Sequence, residues 1–256
     1  MAGLALADGG VQSANTVGYT TQAIAADTYY MIGTQFETVG GSAETISFDD
    51  LISMTGVSAC SYDNQEDEAA EIDVLVDDGY MSYYYISDAY NANNQDVGKD
   101  CWAIDGYECT AADALALGNG FWLKVPAAAI SGTASFMTKG QVYGSPTKSV
   151  SFPGNKVYTM VSNPFPVATG LQNVVTTGVQ ACGYDDQEDE AAEIDILVDD
   201  GYMSYYYISD AYDANNQDVG KDCWAIDGYE CTGTQLSAGE GFWIKSPSAG
   251  TLTFSL

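Results

Sequence analysis

The chain contains no histidine and no arginine, and only seven lysines stand against 36 acidic residues, a formal net charge of −29. Each absence excludes something. Without histidine there is no Ser–His or Cys–His pair, no imidazole metal ligand and no ordinary switch near neutral pH. Without arginine there is no planar fork to hold a phosphate or carboxylate in bidentate fashion. A surface this negative repels phosphate backbones and anionic lipid headgroups, so nucleic acid and anionic membranes are not expected partners. No run approaches the ~18 apolar residues of a membrane-spanning helix. No CxxC pair occurs, which removes zinc ribbons and thioredoxin-like motifs.

What is present is a globular composition. Hydrophobic residues make up 46% of the chain, so its acidity is not that of a disordered tail. Six cysteines point to an oxidising compartment. The opening "MAGLALADGG" places Ala5-Leu6-Ala7 before Asp8, a small-x-small pattern like the end of a secretory signal. The alternative is a mature N-terminal arm. On either view the expected location is extracellular, secreted or on the cell surface.

The chain is also written twice. "YDNQEDEAAEID" at Tyr62–Asp73 returns as "YDDQEDEAAEID" at Tyr184–Asp195, a spacing of 122 residues. Between Tyr62–Thr110 and Tyr184–Thr232 only three positions differ: Asn64/Asp186, Val74/Ile196 and Asn91/Asp213. "LGNGFWLKVP" (Leu117–Pro126) likewise matches "AGEGFWIKSP" (Ala238–Pro247). The repeats run over 15–138 and 139–256, with 1–14 as an arm or signal remnant. The period is too long for a solenoid and predicts two matching domains, like beads in a row.

Within a repeat the signals are strands. "EIDVLVDDGYMSYYYIS" (Glu71–Ser87) alternates as a hairpin, with a turn expected at Asp78-Gly79 that sets Val76 opposite Met81. Its apolar face should meet the core. The other face, with Leu75, Tyr80, Tyr84 and Ile86, is mixed, which implies a cover. "CWAIDGYEC" (Cys101–Cys109) predicts a second hairpin, with Cys101 facing Cys109. "DDLISMTG" and "GLQNVVTTG" each suggest a short helical turn. The expected fold is therefore all-β: two tandem homologous β-sandwich domains, Ig-like or related, with a free N-terminal arm. A half-open barrel is the second architecture.

Four groups of residues are functional candidates. The carboxylates Asp63, Glu66, Asp67 and Glu68, with their copies Asp185, Glu188, Asp189 and Glu190, crowd together as a calcium site would require, though the EF-hand spacing is missing. The competing reading is a solvated acidic loop. Cys101 with Cys109, and Cys223 with Cys231, are within disulfide range if the hairpin forms. Cys60 and Cys182 would then be left over; the competing pattern pairs each with a hairpin cysteine. The arm residues Leu4, Leu6, Val11 and Val17 and the tyrosine face Tyr80, Tyr84, Tyr202 and Tyr206 are the interface candidates. Finally, Trp102, Trp122 and their copies suit stacking on sugar rings.

The motifs "MVSNPFPV" (Met160–Val167), "GNGFWLKVP" and "GEGFWIKSP" resemble repeats in secreted bacterial surface proteins built from tandem β-sandwich domains, including subunits of pilus-like filaments. That resemblance implies assembly by strand exchange or domain stacking, and it carries over no catalytic residue. The expected function is a non-enzymatic extracellular structural protein that self-assembles head-to-tail into a filament, pilus-like fibre or surface layer. The second reading is a bivalent carbohydrate-binding adhesin with polysaccharide as its partner. The third reading is an enzyme using paired carboxylates on glycosides.

Overall fold

The computed structural model describes residues 17–40, 44–76, 79–90, 95–104, 109, 114–198, 201–212, 217–226 and 230–256, without the side chains of 114, 184, 188 and 189. The arm candidates Leu4, Leu6 and Val11 lie outside these. The first repeat contributes β1 (Val17–Ile24), β2 (Tyr29–Gly33), β3 (Phe36–Glu37), β4 (Thr45–Ser47), α1 (Phe48–Leu51), β5 (Ile52–Val57), α2 (Gln65–Glu68), β6 (Glu71–Val76), β7 (Gly79–Ile86), β8 (Cys101–Ile104), β9 (Ala114–Ala116), β10 (Gly120–Lys124) and β11 (Ile130–Val142). The second contributes β12 (Thr147–Phe152), β13 (Thr159–Ser162), β14 (Thr169–Gly170), β15 (Val175–Thr177), α3 (Gln187–Glu190), β16 (Glu193–Val198), β17 (Gly201–Ile208), β18 (Cys223–Ile226), β19 (Gln235–Leu236), β20 (Gly241–Lys245) and β21 (Gly250–Ser255). The chain is mostly β. The 138/139 junction falls inside β11, because that strand must run on to Val142 to pair with both β1 and β3.

Each repeat has a five-stranded sheet, β2-β10-β6-β7-β8 in the first and β13-β20-β16-β17-β18 in the second. A second sheet is centred on β11, between β1 and β5, or on β21, between β12 and β15. Aromatic contacts join the two sheets. Tyr30 of β2 meets Phe136 of β11 at 5.8 Å between ring centroids, and Phe242 of β20 meets Phe254 of β21 at 6.4 Å. Alternation explains this layering: Phe121 and Leu123 of β10 and Ile72 of β6 are fully buried, while Trp122 and Lys124, and Glu71 and Asp73, are only half-buried.

The β6–β7 hairpin forms in a different register from the expected one. Val76 pairs with Gly79 and Val74 with Met81, so the loop is 77–78, one residue earlier than Asp78-Gly79. The slip moves each pairing by two residues, and because strand side chains alternate with period two, every residue keeps its face. Ile72 and Tyr83 accordingly lie in the core. The two expected short helical turns form, and each gives way to a strand. "DDLISMTG" holds only the end of α1 and continues as β5, and "GLQNVVTTG" holds one 3-10 turn before β15. The β-branched and apolar residues Ile52 and Val175–Thr177 favour the extended chain, and each segment pairs with its sheet's central strand.

The buried side chains of both repeats form one continuous cluster, in place of the separate cores of two beads. The repeats meet around a local two-fold axis. Gly33 pairs with Gly120 as Ser162 pairs with Gly241, so Gly33 and Ser162 are equivalent positions. These two positions touch each other: a Cβ built on Gly33 would lie 1.9 Å from Ser162 Cβ. The hydrogen bonds obey the same symmetry. Gly33 N donates to Gly239 O at 2.7 Å, and Ser162 N donates to Gly118 O at 2.8 Å. Gly120 and Gly241 let β10 and β20 approach the opposite repeat, since a Cβ on either would come within 2.7 Å of Met160 or Met31 Cγ.

Candidate functional site: the seam between the repeats

The mixed face of the hairpin is divided: its Tyr80 end reaches the other repeat, while Tyr84 and Ile86 pack with Cys60, Cys101 and Cys109 of their own repeat. Tyr80 and Tyr202, expected to contact neighbouring molecules, both reach this internal seam while remaining 51% and 50% exposed. Near the axis Trp122 and Trp243 lie 6.3 Å apart between ring centroids. Trp243 Nε1 donates to Tyr202 Oη at 3.4 Å. Burial pushes the Tyr80 hydroxyl above its usual pKa, and a hydrogen bond with Trp122 partly offsets that. Tyr84 and Tyr206 are half-buried on the same strands. Burial, with Glu71 beside it, pushes the Tyr84 hydroxyl up to about 12.

Two adjoining cavities open along this seam. The first, of about 890 Å³, is lined by Trp122, Tyr80, Asp73 and Tyr202, and by Leu197 and Val198 of the second repeat. The second, of about 450 Å³, lies between β1 and β2 and is walled by Gly239 and Glu240. Tyr29, Tyr30 and Leu197 line both, so the two form one groove. Its deep wall is polar. Gln35 is 1% exposed, and its Nε2 donates to Thr20 Oγ1 and to Thr138 Oγ1, each at 2.7 Å. Its carbonyl oxygen, Oε1, has no hydrogen-bond partner.

The groove breaks the local symmetry. On the second repeat's side the equivalents of Trp122 and Asp73, which are Trp243 and Asp195, are each only 8% exposed. There Lys245 pairs with Glu193 and donates to Tyr158 Oη at 3.2 Å. Burial alone would lower the Lys245 pKa, but the bonds to Glu193 and Tyr158 outweigh it and raise it. Burial and the neighbouring Glu193 raise the Asp195 carboxyl above its usual range.

The remaining candidates fall elsewhere. Trp102 and Trp224 are 1% exposed, so these two tryptophans are core residues rather than sugar platforms. Cys101 is bonded to Cys109 and Cys223 to Cys231. Cys109 bridges Ala103 rather than Cys101, so each disulfide runs diagonally across its hairpin. Cys60 and Cys182 are free thiols, each half-buried beside its repeat's disulfide. Asp63, Glu66, Asp67 and Glu68 stand exposed on and beside α2, as do Asp185 and Glu190 in the second repeat. The side chains of Glu188 and Asp189 lie outside the described set. Among the described residues no group of three or more acidic or cysteine side chains converges as a metal ion would need. Val17, 64% exposed, opens β1 and pairs with Gln141 of its own chain.

The groove escaped sequence reasoning because its walls come from both repeats and from distant strands. Trp122 was singled out by its aromatic type alone, and nothing in the local pattern marked Gln35. No family model, curated protein or solved structure matches the chain. The two disulfides fit an oxidising compartment. No helix among the described residues is long and apolar enough to cross a membrane.

Proposed function

We propose that the protein is a non-enzymatic, extracellular structural protein of a cell surface or filament, which associates with copies of itself through the open edge of β1. The edge of β1 is the observation that carries this reading. Its eight residues pair with β11 on one side, and no strand among the described residues pairs on the other. Val17 and Tyr19 project from it 64% and 69% exposed. A long edge with unpaired backbone groups is a template for strand addition by another chain. The seam cannot serve this purpose, because a two-fold contact satisfied within one chain closes on itself and does not propagate. Soluble and surface-anchored acidic proteins share the charge of this chain, so charge alone does not carry the reading.

Analytical ultracentrifugation and negative-stain microscopy at rising protein concentration test it. The wild-type chain is expected to form regular assemblies. Tyr19→Lys with Thr21→Lys, which places charge on the edge, is expected to leave a folded monomer. A wild-type chain that stays monomeric at every concentration rules the reading out.

A further inference from the structure

We infer that the seam groove binds a neutral oligosaccharide, one per chain, in a site that neither repeat can build alone. The site shares Thr20 and Thr21 with β1, but its argument does not rest on association through that strand. Three features of the groove select this class of ligand.

The first is the combination of surfaces. Trp122, Tyr80 and Tyr202 offer aromatic surface at one end, and a polar wall of Gln35, Thr20 and Thr138 stands at the other. A pyranose ring has the same division, with apolar C–H faces and a hydroxylated rim. Aromatic side chains with a few fixed polar groups are the usual make-up of a small-molecule site. The second is the unsatisfied carbonyl of Gln35. A buried acceptor without a donor costs free energy; this oxygen is packed beside Gly239, so a small shift of the Gln35 amide brings it to a ligand hydroxyl that supplies the donor. Its two bonds to Thr20 and Thr138 consume the amide hydrogens and leave the oxygen without a donor. The third is charge. Asp73 and Glu240 line the groove and the chain carries −29, which disfavours acidic sugars.

Other ligands fit less well. An organic cation would compete with Lys124, whose Nζ already lies 5.1 Å from the centroid of the Tyr29 ring. A polypeptide strand would need the free edge of β2, but that edge is closed beyond Met31, where Ile32 bridges to Glu240 and Gly33 N bonds Gly239 O. The closed state of the second side, with Trp243 and Asp195 buried, limits the chain to one site instead of the two that its repeats suggested.

The test is a titration of the full chain with neutral hexasaccharides of glucose, xylose, mannose and N-acetylglucosamine, followed by tryptophan fluorescence and calorimetry. At least one is expected to saturate at one molecule per chain. Trp122→Ala and Tyr202→Ala, one from each repeat, are each expected to weaken it about tenfold. Tyr202 is half exposed, so its variant should keep the wild-type circular dichroism and melting temperature if Trp122→Ala does not. The inference is overturned if no oligosaccharide binds at millimolar concentration, or if tetramethylammonium binds and the sugars do not. A stoichiometry of two, or unchanged affinity in a folded Tyr202→Ala chain, overturns it as well.

Discussion

Asp195 shows how identical residues in the two repeats acquire different properties. It occupies the same strand position as Asp73, yet it is only 8% exposed. Ser204 Oγ donates to its Oδ1 at 2.5 Å, and burial with nearby Glu193 raises its pKa. A carboxyl whose folded pKa is raised binds its proton more readily folded than unfolded. Its contribution to stability is therefore most favourable below the ordinary aspartate value, near 3.9, and is lost as pH rises through the raised value. Asp195→Asn keeps an acceptor for Ser204 and removes the charge. The difference in melting temperature, variant minus wild type, is expected to be more positive at pH 7 than at pH 3. Thermal melts at both pH values check this, and a difference that is constant or of opposite slope removes burial as the cause. The sequence could not separate Asp73 from Asp195, because the residues around them differ only by one methylene at Val74/Ile196 and packing distinguishes them.

At the scale of elements, the strands were legible because alternation survives error. The β6–β7 hairpin formed with its loop at 77–78 rather than Asp78-Gly79, yet Ile72 and Tyr83 faced the core as expected. The same tolerance applies to the cysteines. Cys101 and Cys109 are joined although their strands are offset, since the Cα–Cα distance of 5.9 Å lies within the range a disulfide spans. Each bridge closes a short loop, with a sequence separation of 8, and loop entropy assigns it about 2–3 kcal/mol. Cys101→Ser with Cys109→Ser is expected to lower the unfolding free energy by about that amount. Urea unfolding of this variant beside the wild type measures it, and equal midpoints would show that the bridge contributes nothing. What alternation did not reveal was the groove. It depends on which strand edges stay open after the repeats dock, and on a single amide, Gln35, whose neighbours Thr34 and Phe36 give no sign of a binding role.

For the whole molecule, the question is whether two repeats make one cooperative unit or two. One core cluster crosses the seam, and backbone bonds from Gly33 and Ser162 stitch it symmetrically. Neither repeat can unfold without exposing apolar side chains of the other, so the chain should melt in a single two-state transition. Globular proteins absorb about 0.7 kcal/mol per residue on unfolding near 60 °C, or roughly 180 kcal/mol for a chain of this length. If the repeats unfolded independently, the van 't Hoff enthalpy would be about half the calorimetric one. Differential scanning calorimetry is expected to find the two equal. Gly33→Ala provides the opposing case, because its methyl would lie 1.9 Å from Ser162 Cβ and the seam must open to admit it. Such overpacking costs about 1–3 kcal/mol. The variant is expected to melt at a lower temperature, with the van 't Hoff enthalpy falling below the calorimetric value as the repeats uncouple. A wild-type chain with two transitions, or a Gly33→Ala chain that melts like wild type, would mean that the seam is a contact between independent domains rather than part of a shared core.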